Sequence, residues 1–418
     1  MKTTLLLFLS LAAALARTHA ADSKAAATAV NALGVDLYRT QAHGEDNLLL
    51  SPYSIQNALA MTFAGADGDT QAEMQRVLHF PADETALHGS FAALAGELAD
   101  AAKKTVESVK NSKKNGGPNT PIEFNLANRL FAEKHYEFRA PFLDLVKTQY
   151  HAPLEKVDYR SAPEAARAKI NRWVEEQTKN KIRDLIPAGV IKADTRLTLV
   201  NALYLRAPWS DEFVEGATKN ERFLVHGRDG VPVPTMLSGT HCGYAKRDGF
   251  QVVTRTYYGG ELQFVIVLPD NPAGLAAMEK QLTPKLLEEC AHLPSQKVIL
   301  YLPKFRLEPP TLSLGDSLQA LGMKTAFDHP AGSANFDRMA PRQPNDYLYI
   351  GAVLHKTFLA LDEKGTEAAA ATAVVMAPGG AMIPSKPPEV RVDHPFLFAI
   401  QHVPSGACLF LGRVTDPR

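Results

Sequence analysis

Apolar residues recur at helical spacing in several segments of the first half of the chain. Val30, Leu33 and Leu37 share one face of the first such segment. Between the helical segments, Phe124 and Leu126 begin an alternation that predicts a strand over residues 124–130. The predicted helices cover residues 24–39, 86–109, 141–150 and 165–178.

The second half of the chain changes to strand patterns. The run LTLVNALYL, residues 197–205, predicts a buried strand, and one helix is predicted at residues 312–321. No repeat of 20 to 50 residues and no separating linker occurs. We therefore expect one α+β domain over residues 21–418. The remaining predicted strands are 223–225, 231–236, 243–246, 251–257, 262–268, 298–305, 353–361, 389–392, 396–401 and 408–412.

Two helix starts carry capping signals. Ser51 is a candidate N-cap, and Pro52 suits the first helical position. After a Gly-rich break, Thr70 and Glu73 have the spacing of a capping box, which predicts a helix that begins at Thr70.

The segment EKGTEAAAAT, residues 363–372, suits neither of its ordinary assignments. Alanine favours helix, but an exposed segment this short nucleates a helix poorly. The Pro- and Gly-rich stretch that follows predicts a long exposed loop. Small side chains can pass between two existing strands where large ones clash. This favours a segment that is able to join a sheet later as an additional strand.

Charge and the N-terminus indicate an exported protein. The chain has 418 residues with 45 basic and 45 acidic side chains, so no global charge points to nucleic acid or to a membrane surface. Residues 1–20 have the charged, apolar and small-residue order of a signal peptide. We expect the mature chain to be secreted and extracellular, or periplasmic if the source is bacterial.

Signals for catalysis and for metal binding are weak. The sequence lacks G-x-S-x-G, H-E-x-x-H, P-loop and G-x-G-x-x-G motifs, and its 13 histidines lack ligand spacing. We expect no enzyme activity, no metal and no cofactor. Cys242, Cys290 and Cys408 have no metal spacing, and three buried thiols are the favoured interpretation.

A modest basic cluster is best interpreted as a solvated helix end, with a polyanion site as the alternative. Its members are Lys103, Lys104, Lys110, Lys113 and Lys114.

Ordered sequence blocks along nearly the whole mature chain resemble those of serpins. They run from residue 27 to residue 413, and so many blocks in order are very specific. The resemblance implies a metastable fold of three β-sheets and eight to nine helices, with an exposed reactive-centre loop at about residues 363–388. The blocks include NLLLSPYSI at 47–55, GAxGxT at 65–70, LVNAxY at 199–204, LPKF at 302–305, HK at 355–356, ExGTEAA at 363–369, DHPFxF at 393–398 and FLGRV at 410–414.

The resemblance also implies an activity. An inhibitory serpin offers its loop to a serine or cysteine protease as bait, and the cleaved loop inserts into the main sheet and traps the acyl-enzyme. The target protease is then the partner, and the inhibitor is expected to be a monomer that binds neither nucleic acid nor membranes. The alternative is a non-inhibitory serpin that acts as a chaperone, carrier or storage protein.

The loop hinge favours the inhibitory type, because its residues of one parity must enter the sheet core. Thr366, Ala368, Ala370 and Thr372 share that parity and are small and uncharged, whereas Glu367 has the other parity. The full hinge assigned by the resemblance is Glu363, Gly365, Thr366, Glu367, Ala368, Ala369, Ala370, Ala371 and Thr372.

The resemblance further assigns a group of residues to the control of sheet opening. Each of them has an ordinary structural role as its alternative, such as a satisfied buried polar group. The group consists of Ser51, Ser54, Asn201 and His355 beneath the main sheet, and Trp209 at its top.

Two counts give two positions for the reactive bond. Counting from Glu363 by the family spacing places it between Gly379 and Gly380, and counting back from residues 386–390 gives Pro384–Ser385. Hinge spacing is preferred, since the inserted length determines how far the protease travels. Glycine offers no side chain to a specificity pocket, so Met376 and Met382 remain alternatives. No Arg or Lys lies near the hinge-counted bond, which disfavours a trypsin-like target.

Overall fold

The computed structural model describes residues 22–112, 120–343, 346–367 and 386–418. The predicted signal peptide and residues 368–385 lie outside these ranges, and so do Lys113 and Lys114. In the described ranges, none of the helices combines the length and the apolar character needed to span a bilayer.

Nine α-helices lie in the described residues, and the α+β fold class is confirmed. The first helix runs from Lys24 to Gln41 and buries Val30, Leu33 and Leu37, as the periodicity predicts. The helices are α1 Lys24–Gln41, α2 Pro52–Phe63, α3 Gly68–Val77, α4 Glu84–Ser112, α5 Ala140–Tyr150, α6 Pro163–Gln177, α7 Leu275–Gln281, α8 Pro284–Cys290 and α9 Gly315–Ala320.

One capping prediction is confirmed and one is wrong. Ser51 caps α2, because its hydroxyl accepts a hydrogen bond from the Ser54 N–H, and Pro52 follows at the first helical position. The third helix begins at Gly68, earlier than predicted, with Asp67 as its N-cap. Glu73 makes no capping box and instead accepts hydrogen bonds from the distant Lys324 and Thr325 N–H groups.

The strands largely follow the predicted set, with several differences. The predicted strands 298–305 and 353–361 each cover parts of two strands, and the short strands Leu48–Leu50, Glu155–Val157 and Gly365–Thr366 were not predicted. The predicted strands 231–236 and 243–246 are parts of one 19-residue strand, and the predicted helix at 312–321 begins with a two-residue strand. The strands are β1 Leu48–Leu50, β2 Glu123–Glu133, β3 Glu155–Val157, β4 Leu197–Pro208, β5 Lys219–Val225, β6 Asp229–Arg247, β7 Phe250–Thr256, β8 Leu262–Pro269, β9 Ser295–Pro303, β10 Phe305–Leu307, β11 Leu312–Ser313, β12 Ile350–Thr357, β13 Leu359–Asp362, β14 Gly365–Thr366, β15 Glu389–Arg391, β16 Phe396–His402 and β17 Cys408–Val414.

These strands form two hydrogen-bonded networks where three sheets were expected. The larger has the order β1-β17-β16-β8-β7-β6-β9-β15, with β5 on β6. The long β6 strand explains the difference, since its first part pairs with β5 and its last part with β7. Two of the expected sheets are therefore continuous through one strand.

The smaller network, which we call the main sheet, contains the predicted buried strand. Its order is β10-β13-β14-β4-β12-β11, with β2 and β3 beyond β4. The strands β4 and β12 are parallel neighbours, paired from Leu197–Ile350 to Leu203–Thr357. Beyond the paired segment of β4 and β12, the short β14 lies between the end of β4 and β13.

The main sheet is buried on both faces. One face of β4, which includes Leu199 and Leu203, joins the large core that also contains α2. Val200 and Ala202 on the other face pack in a smaller cluster with α6. We call these the back and the front faces. Burial on both sides explains why β4 is a continuous apolar run rather than an alternating one.

Candidate functional site: the hinge and the sheet-opening cluster

The hinge enters the main sheet at its upper end as β14. Gly365 pairs with Pro208, and Thr366 lies between Ala207 on one side and Leu361 on the other. At Gly365 the backbone has φ +148, and a Cβ there would lie 2.1 Å from the Ala207 carbonyl oxygen. Only glycine allows this close approach, which explains the residue at this position.

Glu363 is fixed just before β14 by two polar side chains. Its carboxylate is 2.7 Å from the Lys304 ammonium and accepts a hydrogen bond of 2.7 Å from the Thr218 hydroxyl. Burial opposes ionisation, but these two partners outweigh it and hold the pKa of Glu363 below its ordinary value. Glu363 is therefore charged at neutral pH.

Thr366 faces the back of the sheet and is fully buried. Its hydroxyl lies 2.5 Å from the hydroxyl of Tyr257, which is also fully buried. The next residue, Glu367, leaves the strand in a left-handed conformation with φ +50, and its carboxylate forms an ion pair with Lys181. Thr366 is thus in the core, and Glu367 lies on the front face.

Trp209 covers the hinge rather than joining the polar cluster below. Its indole N–H donates to the Asp362 carbonyl at 3.0 Å, and its backbone N–H donates to the Lys364 carbonyl at 2.8 Å. Its ring stacks on Tyr257 with centroids 4.5 Å apart and planes nearly parallel. Every contact of Trp209 described here is made at the hinge end of the sheet.

Arg255 packs against two aromatic residues, Trp209 and Phe213, whose backbone N–H groups donate to hinge carbonyls. Its guanidinium lies 3.9 Å from the ring centroid of Phe213 and 5.4 Å from that of Trp209. The side chain is buried, and burial lowers the pKa of this guanidinium from its usual value. Stacking against two rings compensates part of the cost of burying a cation.

Three of the predicted polar residues meet beneath the middle of the main sheet. The Ser51 N–H donates to His355 Nε2 at 3.0 Å, and His355 Nδ1 lies 2.5 Å from Asn201 Oδ1. Because Nε2 accepts, the ring proton must be on Nδ1, from which it is donated to Asn201. All three residues are fully buried, and burial lowers the pKa of His355 to about 3.

Ser54 belongs to a neighbouring pair that includes a residue missed by the sequence reasoning. Its hydroxyl donates to Asn128 Oδ1 at 2.9 Å, and the Asn128 amide donates back to the Ser54 carbonyl at 2.7 Å. Asn128 in β2 is the direct cross-strand partner of Asn201. Its signal was present in the sequence, since Asn128 interrupts the apolar row of Leu126 and Leu130.

The remaining candidates are ordinary side chains. Cys242, Cys290 and Cys408 are buried free thiols, and burial raises the pKa of Cys290 to about 12. Lys104 forms an ion pair with Glu261. No group of three or more His, Cys, Asp or Glu side chains in the described ranges is placed to hold a metal ion. The candidate bond residues Met376, Gly379, Gly380, Met382, Pro384 and Ser385, and hinge residues 368–372, lie outside those ranges.

Comparisons with known proteins point to one family. A family model described as Serpin (serine protease inhibitor) matches residues 28–417. A leukocyte elastase inhibitor of Bos taurus is 37% identical over 394 residues, which cover 92% of this chain and 97% of that protein. One of Xenopus tropicalis is 38% identical over 391 residues, with 91% and 97% covered.

Solved structures have the same fold. A highly specific serpin of the insect Tenebrio molitor matches with a TM-score of 0.76 and 29% identity, covering 93% of this chain and 97% of that one. Human thyroxine-binding globulin in complex with thyroxine matches with a TM-score of 0.76 and 27% identity, covering 94% and 99%.

Proposed function

The chain belongs to the serpin family, and we propose that it inhibits serine proteases as a suicide substrate. One observation carries the proposal. Among the described residues, the hinge enters the main sheet at Gly365 and Thr366, while β4 and β12 pair directly with each other below them. The main sheet can therefore gain a strand if β4 and β12 separate.

The proposed reaction uses the target's chemistry and this protein's stored free energy. The serine of the target attacks the carbonyl carbon of the bait bond, the amide bond breaks, and the amine of the C-terminal segment leaves. The freed loop then inserts between β4 and β12, and new ladder hydrogen bonds form. Insertion carries the attached protease away before water can cleave the ester. In this proposal the protein is not an enzyme, and it needs no cofactor.

Elastase-like proteases are the proposed target class. The named relatives are leukocyte elastase inhibitors, and the loop around residue 379 offers small and apolar residues. We place the bond between Gly379 and Gly380, with Met376, Met382 and Pro384–Ser385 as the alternatives. Chymotrypsin-, subtilisin- and papain-like enzymes belong in the same test, and a trypsin-like target is disfavoured.

Export as a monomer after removal of residues 1–20 completes the proposal. A non-inhibitory carrier role is the competing function, because thyroxine-binding globulin has the same fold and is complexed with thyroxine. The small, uncharged hinge residue Thr366 in the sheet core favours inhibition, since a hinge that must insert cannot carry charge at that position.

Incubation with a protease panel tests the proposal. The mature chain should form an SDS-stable complex with elastase and release a C-terminal peptide that begins at Gly380. Heat-denatured inhibitor serves as the control and should give no complex. Complete cleavage of the loop by every protease, without any stable complex, would favour the carrier role.

A further inference from the structure

A groove of about 430 Å³ lies beside the end of β12 that is far from the hinge, on the side away from β4. β11 pairs with β12 at Leu312–His355 and Ser313–Leu354, and the chain then turns away into α9. The groove occupies the space between α9 and residues 349–354. Its volume is in the range of sites that take small molecules.

The floor of the groove is apolar and belongs to both cores. Leu354 is buried in the smaller cluster on the front face, whereas Phe327 and Val353 are buried in the large core. The Leu314 N–H donates to the Val353 carbonyl at 2.9 Å and joins the start of α9 to β12. A ligand in the groove would therefore cover apolar side chains where the two cores meet at the edge of the main sheet, and covering them is favourable.

The opposite wall comes from the segment after α6, where Pro187 and Val190 line the groove. This segment is anchored immediately before the wall. The Ile186 N–H donates to the Asn171 side-chain oxygen at 2.8 Å, and the Asn171 amide donates back to the Ile186 carbonyl at 3.0 Å. The wall is thus fixed before a ligand arrives, which reduces the entropy lost on binding.

The polar side chains of the groove define the ligand. Asp316 and His329 line it and are exposed, and within the described part of the chain neither side chain forms a hydrogen bond or an ion pair. The Tyr349 hydroxyl is already used, since it donates to the Asp194 carbonyl at 3.0 Å. The groove therefore offers one unpaired carboxylate next to the rings of Phe327, His329 and Tyr349. Such rings pack well against another aromatic ring.

We propose that this groove binds a small aromatic amine, with the ammonium group at Asp316 and the aromatic ring against the apolar floor. A ligand that carries a carboxylate in place of the ammonium is disfavoured, because it would face the Asp316 carboxylate. The inference goes beyond the proposed inhibitory function and does not depend on it.

A pair of probes that differ in charge tests the site in the uncleaved mature protein. The probes are tryptamine and indole-3-propionate, which share the indole ring and a two-carbon spacer, and propylamine, which lacks the ring. Binding is measured by titration with saturation-transfer NMR. We expect tryptamine to bind with a dissociation constant of about 1 mM, as befits a ligand of this size. Indole-3-propionate should bind at least about fivefold more weakly, since the ion pair is exposed. Propylamine should show no measurable binding.

The substitution Asp316→Asn should weaken tryptamine binding about fivefold and leave indole-3-propionate no weaker, so the preference between the two probes disappears. Asp69→Asn is the matched control. Asp69 is exposed and is the second residue of α3 after a glycine, as Asp316 is the second residue of α9 after a glycine. Both variants lose the same favourable charge at a helix start, but only Asp316 lines the groove.

A second variant tests the space rather than the charge. Ser313 lines the groove and is exposed, so Ser313→Tyr should fill the groove and abolish the binding of both indole probes. Its thermal midpoint shows whether the variant is folded. If it is not folded, the comparison of Asp316→Asn with Asp69→Asn decides alone.

Four results would overturn the inference: no saturable binding of tryptamine, equal affinity for the two indole probes, an unchanged preference in Asp316→Asn, or an equal loss in Asp69→Asn. Tryptamine binding that persists in folded Ser313→Tyr would likewise place the ligand outside the groove. Complex formation with elastase is measured on the same samples. Failure of probe binding with intact complex formation refutes only the groove, and the opposite result refutes only the proposed inhibition.

Discussion

The hinge and the central polar cluster hold the same sheet by different chemistry. At the hinge, Glu363 and Glu367 are charged partners of Lys304 and Lys181, and both lysine side chains are more than a third exposed. In the centre, Ser51, Asn201 and His355 are neutral and fully buried. Water can replace a lost contact at the hinge, whereas a broken hydrogen bond in the centre has no substitute. We therefore expect the hinge contacts to break first. The hydrogen bonds of the central polar cluster should persist until other groups replace them.

Cleavage of the loop gives the largest expected effect, since in the proposed mechanism insertion begins at the hinge and runs past the central polar cluster. Each new ladder hydrogen bond adds roughly 1 kcal/mol, and in a chain of this size each kcal/mol raises the thermal midpoint by roughly 1 °C. A strand of about ten residues should therefore raise the midpoint by at least about 10 °C. Calorimetry of intact and cleaved protein measures this, and equal midpoints would indicate a non-inhibitory member.

The substitution Thr366→Arg should give the next largest effect. A guanidinium would replace a fully buried hydroxyl beside Tyr257, and burying an unpaired charge costs several kcal/mol. We expect the yield of covalent complex with elastase to fall by about tenfold or more while cleavage of the loop continues. Glu367→Gln, on the front face, is the control and should keep its complex. Unchanged yield in Thr366→Arg would mean that a charge at this position of the main sheet does not impede insertion.

Low pH should destabilise the central polar cluster more than it destabilises the hinge. The pKa of His355 is about 3 in the folded chain and about 6.5 in an unfolded one, so the unfolded state binds the extra proton between these values. The stability that neutral His355 contributes is complete above pH 6.5 and is lost as the pH falls towards 3. We expect about 2 kcal/mol less stability at pH 5 than at pH 7.5 from this group.

Urea unfolding at the two pH values measures the loss, with His355→Gln as the comparison. The variant is expected to be less stable at neutral pH and to show a shallower pH dependence. A pH dependence as steep as that of wild type would assign the proton uptake to other buried histidines, of which His88 and His402 also have pKa values lowered by burial to about 4.

Glu363→Gln should have the smallest effect. The amide keeps a hydrogen-bond acceptor for Thr218, and Lys304 can turn to water. We expect a loss of about 1 kcal/mol at low salt, smaller still in 0.5 M salt. Lys304→Gln should lose a similar amount. A loss well above that of His355→Gln would reverse the ranking of the two regions.

Local signals in the sequence predicted much of the fold. The periodicity of residues 24–39 predicted α1, and Ser51 with Pro52 predicted the start of α2. These predictions succeeded because a cap or an apolar stripe depends on residues a few positions apart. The prediction at Thr70 failed because Glu73 bonds to Lys324 and Thr325, some 250 residues away. Likewise, the polar centre of β6 gave no sign that two short patterns form one strand.

The residues of the functional site likewise divide into those that had a local signal in the sequence and those that had none. Asn128 carried a local signal, a polar residue in an apolar row, although its pairing with Ser54 required the fold. Lys179 and Lys181 carried none, since lysines in a polar turn are typical of any surface. Their partners Glu123 and Glu367 are far from them in the sequence, and only the tertiary fold brings each lysine into contact with its partner.

The sequence by itself determined the α+β class and the family resemblance, and it predicted a hinge whose small residues can enter a sheet, because these depend on residue type and short spacing. Only the tertiary structure decided that β4 and β12 lie side by side, that β14 of the hinge lies between β4 and β13, and that Lys181 pairs with Glu367. Those facts depend on contacts between residues more than a hundred positions apart, and long-range pairing leaves no period in the chain.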